Sequence, residues 1–284
     1  MTTRLPLWFR SKLSKNLLSK KVRNEITKNK LHTVCQSASC PNQTECWNSG
    51  TATFMILGNV CTRNCRFCNI PTGKPDNVDE DEPKRVAQAV AALQLSYAVV
   101  TSVTRDDLPD GGASLFVQTI RAIRSINPGC RIEVLIPDFK WSKQALTAVL
   151  AAAPDILNHN IETVPSLYSR VRPQADYKRS LDLLASATAY GATTKTGLML
   201  GLGESFNELR SVLYDLRASG CSVLTLGQYL QPSKEYLPVE KYFHPDEFAL
   251  IRQEALSLGF QHVVAGPHVR SSYRAERYGA GDAH

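Results

Sequence analysis

Cys61-Thr-Arg-Asn-Cys65-Arg-Phe67-Cys68, a C-x3-C-x2-C run, follows shortly after the apolar segment Thr53-Phe54-Met55-Ile56-Leu57. Three thiolates in so short a span, with no fourth sulfur close by, suit a four-iron four-sulfur (4Fe-4S) cluster that leaves one iron open to a small molecule. A structural zinc takes four ligands, usually as two C-x2-C pairs, and here only Cys65 and Cys68 have that spacing. Reduced thiols without chemistry are the remaining reading.

From residue 53 onward the pattern is strand then helix, repeated. Apolar, β-branched runs fall at 53–57, 97–103, 131–136, 155–161, 193–200, 222–230 and 260–265. Between them lie helical periods at 83–95, 113–126, 142–152, 177–190, 205–219 and 245–258, several opened by Ser or Pro and closed by Gly. Such alternation predicts an α/β fold with a parallel sheet and right-handed crossovers. Six or seven units of this length predict a partial, open parallel β/α barrel rather than a closed eightfold one.

A fold of this class gathers its chemistry at the C-terminal ends of its strands. Arg105-Asp106-Asp107 and Asp110-Gly111-Gly112 follow the run at 97–103, and Asn158-His159-Asn160 and Glu162 end the run at 155–161. The run at 193–200 carries Lys195 and leads into Gly201-Leu-Gly203-Glu204, and that at 222–230 holds Gln228, with Gln231-Pro232 beyond it. Each has an ordinary explanation on its own: Asp106 a turn cap, the glycines tight corners, His159 a satisfied core histidine. Converging on one rim, they predict a binding site. Asn160 and Glu162 suit the ribose hydroxyls of a nucleoside cofactor, and Lys195 and Gln228 are further candidate contacts. The Gly201–Gly203 turn permits backbone approach to a ligand.

The 284 residues are 43% hydrophobic, enough for a large core, and no 18-residue apolar run is present to span a membrane. Residues 1–30 lack the apolar stretch of a secretory signal, so the expected compartment is the cytoplasm, where cysteines serve as metal ligands rather than disulfides. Six of the eight cysteines lie between residues 35 and 68, while Cys130 and Cys221 sit alone among apolar residues and read as core. Cys35-Gln-Ser-Ala-Ser-Cys40-Pro-Asn-Gln-Thr-Glu-Cys46 is too open for a zinc knuckle. A second cluster with one non-cysteine ligand is the economical reading, and one cluster shared among the six cysteines is the alternative. Residues 1–30 also hold nine Lys and Arg against one acid, Glu25, a net +8 that leaves the other 254 residues at −1 of the total +7. That basic arm suits an acidic protein or anionic surface, or is a solvated helical face. Nucleic acid is the weaker partner, because Trp8 and Phe9 are the arm's only aromatics.

Beyond the last strand comes Arg270-Ser271-Ser272-Tyr273. With this tail included, the chain resembles the lipoyl synthases, which are radical S-adenosylmethionine (SAM) enzymes. The family combines C-x4-C-x5-C, C-x3-C-x2-C and R-S-S-Y in this order. Cys40-Pro-Asn, Glu45-Cys46-Trp47, Arg105-Asp-Asp-Leu108, Asn158-His-Asn-Ile-Glu162-Thr163 and Gly227-Gln-Tyr-Leu230 are similar to the family as well. The resemblance implies that Cys61, Cys65 and Cys68 hold the cluster whose open iron chelates SAM, with Phe67 by the adenine. It implies that Cys35, Cys40, Cys46 and Ser272 hold an auxiliary cluster. It further implies insertion of two sulfurs, drawn from that auxiliary cluster, at carbons 6 and 8 of an octanoyl group on a carrier lysine. The implied partners are octanoylated lipoyl domains of 2-oxoacid dehydrogenase acyltransferases, the glycine cleavage carrier protein, and reduced ferredoxin or flavodoxin as electron donor. Three segments are expected: 1–50, arm and auxiliary cysteine motif; 51–265, partial barrel; 266–284, R-S-S-Y tail. Departures from the family pattern at Gln36, Ser37, Tyr236 and His268 avoid the ligand positions and bear on carrier docking. A radical SAM sulfur inserter acting on a free small molecule, and an iron-sulfur or zinc protein that only binds nucleic acid, are the rival readings.

Overall fold

The computed structural model describes residues 5–9, 17–37, 40, 42–49 and 51–277. The predicted runs become β2 (Thr51–Ile56), β3 (Tyr97–Ser102), β4 (Arg131–Leu135), β5 (Ile156–Asn158), β6 (Thr194–Leu200), β7 (Val223–Gln228) and β8 (His262–Gly266). Each pairs in parallel with the next. A two-residue strand, β1 (His32–Thr33), adds antiparallel to the free edge of β2. The sheet ends at β8 without returning to β2, so the barrel is open.

Ahead of the barrel lie α1 (Leu17–Lys28), α2 (Val34–Ser37) and α3 (Gln43–Asn48). The crossovers are α4 (Glu82–Ala92), α5 (Ala113–Ile126), α6 (Lys143–Ala151), the short α7 (Tyr168–Val171), α8 (Tyr177–Ala189), α9 (Phe206–Ala218) and α10 (Pro245–Ser257). Local chemistry starts them. Ser205 and Glu208 form a capping box on α9, Asp176 accepts from the Arg179 N–H at the head of α8, and Pro245 opens α10.

Period-two alternation sorts the strand side chains between two faces. Outward residues such as Phe54, Val100, Ile132 and Leu157 pack against α4 to α6, and Leu198, Leu224 and Leu226 against α9 and α10. The inward face is unusually polar, with Thr53, Glu133, Asn158, Lys195 and Thr225 all buried. At its centre Lys195 Nζ meets both Glu133 oxygens at 2.9 and 3.0 Å, with each side chain fully buried, and Tyr97 and Asn158 donate to the same carboxylate. Removing one partner of such a pair strands a charge in the interior. Lys195→Met is therefore expected to lower unfolding stability by about 3–5 kcal/mol, whereas Lys195→Met with Glu133→Leu recovers most of it. Urea unfolding of the two variants against wild type checks this.

After β8 the chain turns back into the lumen. Ala275 packs among Tyr97, Val99, Ile156 and Val223 at the strand starts. Glu276 accepts from Thr51 at 2.8 Å, and Ser272 from Thr53 at 2.8 Å. Gly227 is required by this path, since a Cβ there would stand 2.1 Å from Val269 O. Of the basic arm, α1 buries Val22 and Ile26 and leaves Lys20, Lys21, Arg23 and Lys28 exposed. Arg4, Arg10, Lys12 and Lys15 lie outside the described residues.

The run at 155–161 is cut to three residues. His159 N–H still donates to Lys195 O at 3.0 Å, while its ring meets Ile136 O at 2.9 Å and Ser180 Oγ at 3.1 Å, and Glu162 adopts φ 68°. His159 is a satisfied core histidine, its imidazole pushed down by burial to about 4.

Candidate functional site

The loop between β2 and α4 carries Cys61, Cys65 and Cys68. Its own backbone shapes it: Cys61 N–H donates to Pro71 O at 2.8 Å, Gly73 N–H to Cys61 O at 3.0 Å and Cys68 N–H to Cys65 O at 3.1 Å. Arg63, between the first two cysteines, turns inward. It donates to both Asp106 oxygens at 2.6 and 2.9 Å and to Asp138 at 2.6 Å. Burial alone would raise the Asp138 carboxyl, but the Arg63 guanidinium outweighs it and holds it below the usual carboxylate range. This double clamp fixes the loop against the ends of β3 and β4. Burial pushes Cys65 up to about 11 and Cys68 to about 12, so at neutral pH a bound metal is what makes thiolates of them. Phe67 packs beside Val171, Leu202 and Tyr229 on the far side of the loop.

Past β5, Asn160 and Glu162 stand at the rim that faces this loop. Asn160 Oδ1 accepts from Ser271 Oγ at 3.0 Å, and the Asn160 side chain lies near enough to the Glu162 carboxyl to favour its charged form. Arg172 donates to Asn160 O at 2.8 Å and lies over the Tyr168 ring at 5.4 Å. Its charge reaches both Glu162 and the Cys65 thiol. Burial raises the Glu162 carboxyl against those partners. Arg172 Nε is buried with no hydrogen-bond partner in the chain, a donor facing this polar rim.

The N-terminal triplet is assembled by α2, α3 and the tail against β2. Cys35 lies on Thr53, and Thr53 Oγ1 donates to Ser272 Oγ at 2.8 Å, so one threonine touches both. Cys40 feels the charge of Arg270, and Cys46 accepts from the backbone of Arg274. Glu45 accepts from Tyr273 Oη at 3.0 Å and from Arg274 at 2.7 and 3.0 Å, tying α3 to the tail. Burial raises the Cys35 and Cys40 thiols and pushes Cys46 to about 12. Trp47 Nε1 is buried and turned to the Cys35 thiol, which suits a donor aimed at sulfur.

Among the described residues no three His, Cys, Asp or Glu side chains close on a single-ion site. Within each triplet the thiols still sense one another's charge. An all-sulfur donor set of this kind fits iron-sulfur chemistry and not a hard cation.

Two of the candidate SAM contacts lie elsewhere. Lys195 is spent on Glu133 near the start of β6. Gln228 is buried, its amide donating to the carbonyls of Leu200, Tyr229 and Lys241 while its oxygen accepts from Phe243 N–H at 2.9 Å. Gly201 makes room for that same brace, since a Cβ there would meet Gln228 Nε2 at 2.2 Å. Thr53, Glu133, Asp138 and Arg172 are the residues that sequence reasoning passed over. The polar residue at every second position of parallel strands was the available signal for the first two; nothing local marked Arg172.

Residues 55–216 match the Radical SAM superfamily. Across almost the whole chain the sequence is similar to lipoyl synthases. It is 52% identical to that of Chlorobaculum tepidum, over 96% of this chain and 95% of the relative. It is 51% identical to that of Caldicellulosiruptor saccharolyticus, over 97% and 98%. The fold is similar to methylornithine synthase (PylB), with TM-score 0.57 and 12% identity over 88% of this chain and 83% of that one. It is also similar to Streptococcus suis SuiB bound to its precursor peptide, with TM-score 0.59 and 10% identity over 91% and 58%.

Proposed function

The chain belongs to the lipoyl synthase family of the radical SAM superfamily, and we propose that it inserts two sulfur atoms, at C6 and C8, into an octanoyl group held on a carrier-protein lysine. It is a radical SAM sulfur-inserting enzyme that uses 4Fe-4S clusters and SAM. In this reading Cys61, Cys65 and Cys68 hold the SAM-binding cluster, and Cys35, Cys40, Cys46 and Ser272 the auxiliary one. When bound, the two groups supply the electron that opens SAM and the sulfur that is inserted.

The protein's part is placement. Arg63, clamped by Asp106 and Asp138, fixes the height of the cysteine loop at the rim. Phe67 offers the adenine a flat apolar neighbour, and Asn160 and Glu162 offer the ribose hydroxyls a donor and an acceptor. The tail in the lumen keeps water from the space between the two triplets. The observation that carries the reading is Thr53, whose hydroxyl donates to Ser272 Oγ at 2.8 Å and whose side chain lies beside the Cys35 thiol, more than two hundred residues from Ser272 in the chain. An oxygen ligand at Ser272 binds iron less firmly than thiolate and can leave when sulfur is given up. Segments 1–50, 51–265 and 266–284 divide the work as arm and auxiliary motif, barrel, and tail.

The test is anaerobic reconstitution followed by reaction with an octanoyl-lysine peptide, SAM and dithionite. Mass spectrometry is expected to find one-sulfur and then two-sulfur product beside 5'-deoxyadenosine; deoxyadenosine without sulfurated peptide would reject sulfur insertion. Partners on this reading are octanoylated lipoyl domains and the glycine cleavage carrier protein, with reduced ferredoxin or flavodoxin as donor, in the cytoplasm. Among the described residues no helix is long and apolar enough to cross a membrane.

Lys20, Lys21 and Arg23, exposed on α1, give the carrier an electropositive face. Their replacement by Gln is expected to raise KM for an octanoylated carrier domain severalfold at low salt, an effect that fades as the screening length falls below roughly 10 Å. The KM for a short octanoyl-lysine peptide stays unchanged. Equal changes for both substrates would assign α1 to folding.

A further inference from the structure

Ser271 stands where the two halves of the site meet. Its hydroxyl accepts from Asn158 Nδ2 at 2.8 Å and donates to Asn160 Oδ1 at 3.0 Å. Asn158 is itself anchored, because the same amide nitrogen donates at 3.0 Å to Glu133, which Lys195 and Tyr97 hold in the lumen. Asn160, on the other side, is held at the rim by Arg172, which donates to its backbone carbonyl at 2.8 Å and whose charge acts on Glu162 and Cys65 nearby. The next residue of the tail, Ser272, faces Thr53 on β2 and through it Cys35. Adjacent tail serines thus grip opposite walls of the barrel.

A hydroxyl has one proton to give. Because Ser271 spends it on Asn160 Oδ1, the Asn160 oxygen is committed to the tail and its NH2 group is the end left to face a ligand at the rim. Without the hydroxyl, the amide loses the contact that sets its orientation, and Asn158 loses its link to the tail. We propose that Ser271 is a positioning residue that couples the two cluster sites, orienting Asn160 for SAM while it holds the tail that presents Ser272. The proposal rests on the assignment of SAM to the Asn160 and Glu162 rim and of the auxiliary cluster to the Cys35 triplet. Coupling of this kind is reciprocal, so loss of the auxiliary cluster weakens SAM binding and bound SAM steadies the tail.

The experiment is a cycle of four reconstituted proteins: wild type, Ser271→Ala, the Cys35, Cys40 and Cys46 triple alanine variant, and the combination. SAM dissociation constants come from anaerobic equilibrium dialysis and iron content from the same samples. Removing the auxiliary triplet is expected to weaken SAM binding about fivefold in wild type, the scale of one hydrogen bond, and to leave the Ser271→Ala protein almost unchanged. Ser271→Thr, which keeps the hydroxyl, restores the wild-type difference. Ser271→Cys, close in volume but a weak donor, carries the same comparison if the alanine variant does not fold. A general loss of packing would weaken binding without abolishing the dependence on the triplet. An equal dependence with and without the Ser271 hydroxyl, or none in wild type, overturns the coupling while leaving the two-cluster reading intact. Failure of that reading looks different, as a triple variant stripped of all iron or a wild type that binds no SAM, and it takes the proposal with it.

Discussion

Replacing Cys61, Cys65 and Cys68 together by Ala is expected to halve the iron and abolish release of 5'-deoxyadenosine. The same change at Cys35, Cys40 and Cys46 also halves the iron but leaves SAM cleavage in place at saturating SAM. Two independent clusters correspond to about eight iron and eight sulfide per chain. The asymmetry follows from how the sites are built. The 61–68 loop is braced by Arg63 on Asp106 and Asp138. The other triplet depends on Glu45, Tyr273 and Arg274 to hold α3 in place. Iron analysis and chromatographic quantitation of deoxyadenosine decide it. A triple variant without any iron would mean one shared cluster.

Ser272→Cys is expected to keep or strengthen the auxiliary cluster, preserve SAM cleavage and suppress two-sulfur product by at least tenfold. Thiolate holds iron more firmly than a serine oxygen, and the variant would resist giving up the iron that must be released. Ser272→Ala yields a more fragile cluster and similarly little product, having lost both the ligand and the Thr53 contact. Counting peptides with no, one and two added sulfurs against deoxyadenosine released separates the effects. Full two-sulfur product from both variants would remove Ser272 from the ligand set.

The barrel was legible because parallel strands buried on both faces read as unbroken apolar runs, and helices with strong caps, such as α9 behind Ser205, announce their starts. Thr53 and Glu133 escaped notice because a single polar residue inside an apolar run says nothing until its partners on neighbouring strands are aligned. The partners of Lys195 and Gln228 were hidden for a related reason. Position along a strand sets height in the barrel, and Lys195 at the start of β6 sits well below the rim, while Gln228 at the end of β7 turns to backbone carbonyls that no motif advertises. Arg172 comes from an irregular stretch after α7, where side-chain direction has no periodicity to read.

The tail's passage through the lumen also imposes an order on biosynthesis. Its contacts with the N-terminal region span 219 residues for Thr53 with Ser272, 225 for Thr51 with Glu276 and 226 for Asn42 with His268. Contacts at such separation close last, after β2 to β8 have emerged and paired. During translation the Cys61 loop can be finished while the Cys35 triplet still lacks the tail whose Ser272 meets Thr53. On the two-cluster reading, iron delivered at that stage would find one pocket formed and one still open on a side, until the tail threads into a barrel already built around it.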